Sequence, residues 1–335
     1  MKNDILKLPE FEDGMFTTLI LGFISHKRSC GLRYGDSASY NLRVICRKLN
    51  QHQLEHPKMT KEMVEDLVEK RPHESFSTQS RRISLLRQLA IYLNRLGVEA
   101  YIYPEQSKHK EAKTFVPYLF SDNEIRRIFE VADNLAPMTR WPHYQDVYPV
   151  LLRLLYAGGL RLSEALNLKL MHFDDINNTL TIENSKKGKS RVIPVSVSMS
   201  HVITKYMNKR FGGTNYDRDR YIFEAPDGNC YNRGSLRSTI IKIFKTAGIP
   251  VNPSERHARV HDLRHLFSVK AMEKMKLEGM DLYCALPLLS LYLGHEGIRE
   301  TEKYLWLPEF RMEELAELNQ YLPQGMIPEV QWDEE

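Results

Sequence analysis

Through the first hundred positions apolar residues recur at helical spacing, around Phe16 to Ile24 and Tyr40 to Leu49, with no strand-like alternation of comparable length. Thr60 stands where a capping residue should, ahead of Met63, Val64, Leu67 and Val68. A fourth helix is expected from about Thr78 to Leu96, with Ile83, Leu86, Ala90 and Leu93 along one stripe and Gly97 as its stop. Arg81, Arg82, Arg87 and Arg95 fall off that stripe, a placement suited to phosphate contact. The periodicity then breaks over residues 101–116, where a proline and the cluster Lys108, His109, Lys110 and Lys113 mark a basic linker. A second pattern opens with Ser121 and Glu124, a capping box before Ile125, Ile128 and Phe129.

Helices dominate from there, with one exception. Thr179 to Glu183 and Arg191 to Val195 read as two strands joined by a turn at 185–190 that holds Lys186, Lys187 and Lys189. Pro287 to Leu293 reads as a short apolar helix closed by Gly294. The tail carries Met312, Leu315, Leu318 and Leu322 at helical spacing. The expected fold is mainly α with a small antiparallel β-sheet. Its parts are a helical domain over 1–100, the linker at 101–116, a second domain over 117–307 and an acidic tail at 308–335.

Composition narrows the partners. The chain is formally +4, but residues 308–335 hold eight acids and one arginine, so the first 307 residues are about +11. That balance suits a polyanion. The longest apolar runs, Phe16 to Ile24 and Val147 to Leu155, are too short to cross a bilayer of about 30 Å. The opening MKNDILKLPEFED has no leader-like apolar region, so a cytoplasmic setting is expected. Cys30, Cys46, Cys230 and Cys284 are widely spread, which predicts buried free thiols and no zinc site or disulfide framework.

Five segments hold the candidate chemistry: GLRLSEAL, NSKKGKSRVIPV, VHDLRHLF, LYLGHEGI and TEKYLW. In the first, Arg161 starts a helix after Gly158 and Gly159, and Glu164 lies one turn on, positioned to hold its guanidinium. His261 and Arg264 sit three apart at another helix start, on one face. His295 follows Gly294, just beyond a helix end, and Tyr304 comes nine residues later. Breaking a phosphodiester without metal requires a nucleophile, donors for the non-bridging oxygens and an acid for the departing oxygen. Tyr304, the arginines and histidines, and the hairpin lysines can supply them.

In order and spacing these segments resemble the tyrosine recombinase (phage integrase) family over about residues 117–306, and their wording is similar to that of transposon-borne integrases. The resemblance implies a helical, SAM-like core-binding domain and a catalytic domain closing as a C-shaped clamp on DNA. It implies that Tyr304 attacks the scissile phosphate, giving a 3′-phosphotyrosyl link and a free 5′-hydroxyl. Arg161, Arg264 and His295 then stabilise the phosphate charge, His261 assists loss of the tyrosine proton, and Lys186 protonates the leaving oxygen, with Lys187 as its alternative. No cofactor, ATP or metal is implied. Arg81, Arg82, Arg87, Lys108, Lys110, Lys187 and Lys189 are the expected DNA contacts outside the catalytic set.

The implied partners are double-stranded recombination sites and a tetramer of this chain on two duplexes, in a bacterial, nucleoid-associated setting. Related recombinases and directionality factors are further candidate partners. The tail packs on its own subunit or is exchanged with a neighbour. A chromosome-dimer-type resolvase, a type IB topoisomerase and a catalytically silent DNA-binding accessory protein are the rival readings. Two departures stand out: Arg264 and His295 are 31 residues apart, longer than in compact members, and Trp306 stands where many members have histidine.

Overall fold

The structure is a computed structural model that describes residues 10–32, 34–105, 117–139, 141, 143–183, 190–212, 217–251 and 257–302. It divides into two compact units, within Met1–Lys113 and Thr114–Glu335.

The amino-terminal unit is built from α1 (Thr17–Ser29), α2 (Asp36–Asn50), α3 (Lys61–Val68) and α4 (Phe76–Arg95). Thr60 caps α3 by accepting from the Met63 amide at 3.4 Å, and Ser75 caps α4 through the Thr78 amide at 3.2 Å. The second cap starts α4 at Phe76, two residues before the sequence pattern does. Phe16, Ile20, Phe23, Leu42, Leu49 and Leu89 are fully buried in the core these helices share. Past Gly97, which takes a positive φ of 80°, the chain returns so that Ala100 pairs with Met59, and the Tyr101 amide donates to the Met59 carbonyl at 2.8 Å.

One expectation is overturned here. Arg82 is only 6% exposed, so it is not a surface phosphate contact. Positions 82, 86, 89 and 93 share one helix face, and all four are buried. The guanidinium survives burial because Glu74 meets it at 2.5 Å and the Glu69 carbonyl accepts from it at 2.8 Å. Arg87 is half-buried and donates to the Tyr103 carbonyl, whereas Arg81 is exposed.

The carboxy-terminal unit begins with α5 (Asp122–Asp133), whose capping box pairs the Glu124 amide with Ser121 Oγ at 3.3 Å and the Ser121 amide with Glu124 Oε2 at 2.8 Å. α6 (Tyr144–Gly158) and the short α7 (Leu162–Leu166) follow. A three-stranded antiparallel sheet comes next: β1 (Phe173–Asp174), β2 (Thr179–Ile182) and β3 (Arg191–Pro194), in that order. The register pairs Leu180 with Ile193 and Ile182 with Arg191. α8 (Val197–Phe211), α9 (Arg233–Thr246), α10 (Asp262–Leu277), α11 (Leu282–Leu293) and α12 (Arg299–Glu302) complete it.

α6 is buried around most of its circumference, so the main core is organised about it. α11 packs on α10 through Val269, Met272, Leu286, Leu289 and Leu293. It begins five residues earlier than Pro287 suggests, because the Asp281 side chain accepts from the Tyr283 amide at 2.8 Å and caps it there. Pro287 therefore sits inside the helix, where it forfeits one ladder bond. The expectation of buried thiols holds for Cys46 alone: Cys30 and Cys284 are exposed and Cys230 is intermediate. Among the described residues no helix is long and apolar enough to cross a membrane.

Candidate active site

α6 ends at Gly158, and Gly159 takes φ 59°, a left-handed turn that sends the chain back as α7. A side chain there would also collide with the Phe267 ring, since an added Cβ would lie 2.3 Å from one of its carbons. The turn places Arg161 at the cap of α7. Its amide donates to Glu164 Oε2 at 2.9 Å and its Nη1 to Glu164 Oε1 at 2.7 Å. The carboxylate is nearly enclosed, with 4% side-chain exposure.

Two further arginines reach the same carboxylate. Arg191 on β3 forms a two-pronged pair with it, Nη1 to Oε1 at 3.2 Å and Nη2 to Oε2 at 3.0 Å. Arg264, one turn into α10 and 1% exposed, brings Nη1 to 3.6 Å from Oε2. Burial pushes the Glu164 carboxyl up. The hydrogen bonds and charge of Arg191, with Arg161 and Arg264 behind them, outweigh that and hold it below the usual carboxylate range.

The end of α11 supplies the second set of anchors. A helix leaves its last carbonyls without internal partners and ends with partial negative charge. Here three successive carbonyls each accept from a different arginine: Tyr292 from Arg191 Nε at 2.7 Å, Leu293 from Arg264 Nη2 at 2.6 Å, and Gly294 from Arg161 Nη2 at 3.4 Å. Arg264 also donates to the Gly159 carbonyl at 2.8 Å, joining the α6–α7 turn to this helix end.

Gly294 has φ 65°, and His295 leaves the helix immediately after it. The His295 ring is fixed by Nδ1 against Thr301 Oγ1 at 2.8 Å, and Thr301 is fully buried. Arg161, Glu164 and Arg264 are thus in contact, and His295 is held at the adjoining corner.

His261 borders the same helix start as Arg264. It lies one turn before Arg264 on the exposed side, its ring edge-on to His265 at 4.8 Å between centroids. Asp262 is fully buried and accepts from the Arg259 amide and Nη2, both at 2.8 Å, a structural role. Lys186, Lys187, Lys189, Tyr304, Lys108 and Lys110 lie outside the described residues. Among the described residues no group of three or more His, Cys, Asp or Glu side chains is disposed to hold a metal ion.

Arg191 was not among the residues the sequence singled out for the site. A signal existed, because Arg191 and Ile193 occupy the same face of β3, and Ile193 is fully buried. A charge on an inward-facing strand position requires a buried partner. A second set that escaped notice is on α9, which contains no acid and exposes Arg233, Arg237, Lys242 and Lys245.

One carboxylate among three guanidiniums leaves a local excess of two positive charges beside a fixed imidazole. Among the three, Arg161 has the most exposed side chain, at 20%, and so faces an approaching anion most directly. The chain's architecture is shared with recombinases. A crystal structure of the XerH site-specific recombinase bound to difH substrate is similar, with a TM-score of 0.63, 18% identity, and 92% of this chain and 98% of that one covered. The Tn1549 transposon integrase in complex with transposon right end DNA gives a TM-score of 0.60 at 15% identity, over 90% of this chain and 99% of that one. At these identities the likeness is one of fold.

Sequence relatives narrow the class. The protein named "Putative integrase/recombinase y4rB" of Sinorhizobium fredii is 30% identical over 71% of this chain and 76% of its own length. Tyrosine recombinase XerC of Oceanobacillus iheyensis is 29% identical over 67% of this chain and 68% of its own. Residues 119–308 match the phage integrase family. The chain belongs to that family and is a tyrosine-type site-specific recombinase.

Proposed function

We propose that this protein cleaves and rejoins DNA at specific sites through a covalent 3′-phosphotyrosyl intermediate, as the integrase of a mobile element. The observation that carries this reading is the triple-arginine cluster on Glu164, which sets Arg161 and Arg264 beside His295. A diester phosphate gains a second negative charge as a nucleophile adds, and fixed cationic donors stabilise that charge.

In the proposed reaction Tyr304 Oη bonds to phosphorus and the P–O5′ bond breaks. His261 takes the tyrosine proton, and Lys186, or Lys187 in its place, gives a proton to O5′. Arg161, Arg264 and His295 hold the non-bridging oxygens. The new ester retains the bond energy, so religation runs in reverse without ATP or metal. Tyrosine and lysine both titrate ordinarily near about 10, so each requires assistance at neutral pH.

The partner in this reading is double-stranded DNA. Residues 1–100 act as the core-binding domain and residues 117–307 as the catalytic domain, joined by the basic linker at 101–116. Exposed Arg81 and the basic face of α9 supply backbone contacts, which orient the duplex without reading its sequence. Four copies assemble on two duplexes, with the tail exchanged between neighbours.

The test is to mix the wild type and Tyr304→Phe with nicked suicide duplexes made from the ends of the surrounding element. An SDS-stable protein–DNA adduct is expected with the wild type alone. Tight, specific binding with no adduct would overturn the reading and leave a DNA-binding accessory role.

A further inference from the structure

One arginine of the cluster spends a bond from each of its guanidinium nitrogens on the protein itself. All three nitrogens of the Arg191 guanidinium are engaged: Nε with the Tyr292 carbonyl at 2.7 Å, and Nη1 and Nη2 with the two Glu164 oxygens at 3.2 and 3.0 Å. Its side chain is 11% exposed. It also lies directly under the corner that carries His295, since a Cβ added to Gly294 would come within 2.8 Å of Arg191 Nη1. Three elements far apart in sequence therefore meet on one side chain: β3, the start of α7 and the end of α11.

Resting on the function proposed above, we infer that Arg191 is a positioning residue of the strand-transfer reaction. It neutralises Glu164 so that the charge of Arg161 and Arg264 stays available to the scissile phosphate, and it holds the Gly294–His295 corner in register with them. The charge balance gives the physical reason. With Arg191 present, one carboxylate is shared among three cations and the cluster carries an excess of two. Without it, Glu164 draws on Arg161 and Arg264 alone and the excess falls to one. Lysine would restore the charge, but a single ammonium cannot make the two-pronged pair and reach the Tyr292 carbonyl together.

The test compares wild type, Arg191→Met, Arg191→Lys and Arg191→Met/Glu164→Gln by single-turnover cleavage of a suicide duplex, with DNA affinity measured separately. Arg191→Met is expected to slow cleavage about 10²-fold, the scale of a misplaced catalytic group, with affinity within about twofold of wild type. Arg191→Lys should recover part of the rate. The double variant should cleave faster than Arg191→Met, because removing the carboxylate charge restores the excess of two.

The decisive arm replaces one non-bridging oxygen of the scissile phosphate by methyl. That duplex carries one less negative charge and depends less on the arginines, so the deficit of Arg191→Met relative to wild type should shrink on it. A purely structural role would give the same deficit on both substrates, and that result, or wild-type cleavage by Arg191→Met, overturns the inference. Should Arg191→Met fail to fold, Arg191→Lys is read against the two substrates in the same way. Absence of an adduct with the wild type on the unmodified duplex would sink the underlying function instead, so the two failures are distinguishable.

Discussion

Replacing Glu164 is the sharpest perturbation of this structure. The carboxylate is 4% exposed and is the shared partner of Arg161, Arg191 and Arg264, the last of them 1% exposed. In Glu164→Ala the buried Arg264 keeps its bonds to the Gly159 and Leu293 carbonyls but loses the carboxylate 3.6 Å from its Nη1, and Arg191 loses its two-pronged pair while keeping the Tyr292 carbonyl. Breaking a buried ion pair from one side costs about 3–5 kcal/mol. Glu164→Gln keeps the shape and one acceptor oxygen, so its loss should be nearer the roughly 1.5–3 kcal/mol of a hydrogen bond to a charged group.

For a unit of this size each kcal/mol lowers the melting temperature by about 2–4 °C, which puts Glu164→Ala roughly 6–20 °C below wild type. Tryptophan fluorescence is a suitable probe, because Trp141 lies against Tyr231 of the carboxy-terminal unit, at 6.1 Å between ring centroids, and the first 113 residues contain no tryptophan. The pH dependence carries a second signature. The folded Glu164 carboxyl is held below its ordinary value, so its stabilisation is present above the unfolded value of about 4.3 and is lost as pH falls through the folded one. Glu164→Gln should flatten that acid limb. A Glu164→Ala variant melting within a degree of wild type, with an unchanged acid limb, would refute the idea that the cluster is held together by this carboxylate.

Two other outcomes follow from the placement of charge. Arg82→Ala should destabilise the amino-terminal unit by about 1.5–3 kcal/mol, because Glu74 loses its guanidinium partner and keeps only weaker support such as the bond from the Arg71 amide, whereas exposed Arg81→Ala should leave melting nearly unchanged and weaken DNA binding. Circular dichroism melts and fluorescence anisotropy separate the two, and equal melts would contradict the buried pair. Truncation after Leu307 should preserve DNA binding by the monomer and abolish pairing of duplexes; recombination at the wild-type level would remove the exchanged tail from the reading.

Local chemistry was legible from the chain because its causes lie within a few residues. Thr60 and Ser121 cap helices through amides three positions away, and Glu164 meets Arg161 at the same spacing. The hairpin strands and the alternation on β3 were equally local, while β1, two residues long, left no pattern to read. Arg82 was misplaced for a related reason: on a helix buried over a broad arc, a charge beside the apolar stripe and one facing water differ only by what packs opposite, and that was Glu74 and the Glu69 carbonyl.

By itself the sequence determined a mainly helical chain with one small antiparallel sheet, the helix starts that carry Arg161 and Arg264, and the family to which these segments belong. Only the tertiary structure decided which charges meet. Arg191 reaches Glu164 across 27 residues and the Tyr292 carbonyl across 101, Arg264 reaches Gly159 across 105, and Arg161 reaches Gly294 across 133. Capping and periodicity act within a turn of helix or a pair of strands, where chain connectivity sets the distance. Partners for a buried guanidinium are chosen by whichever carboxylates and orphan carbonyls the packed core brings within hydrogen-bonding reach, and spacing along the chain does not encode that.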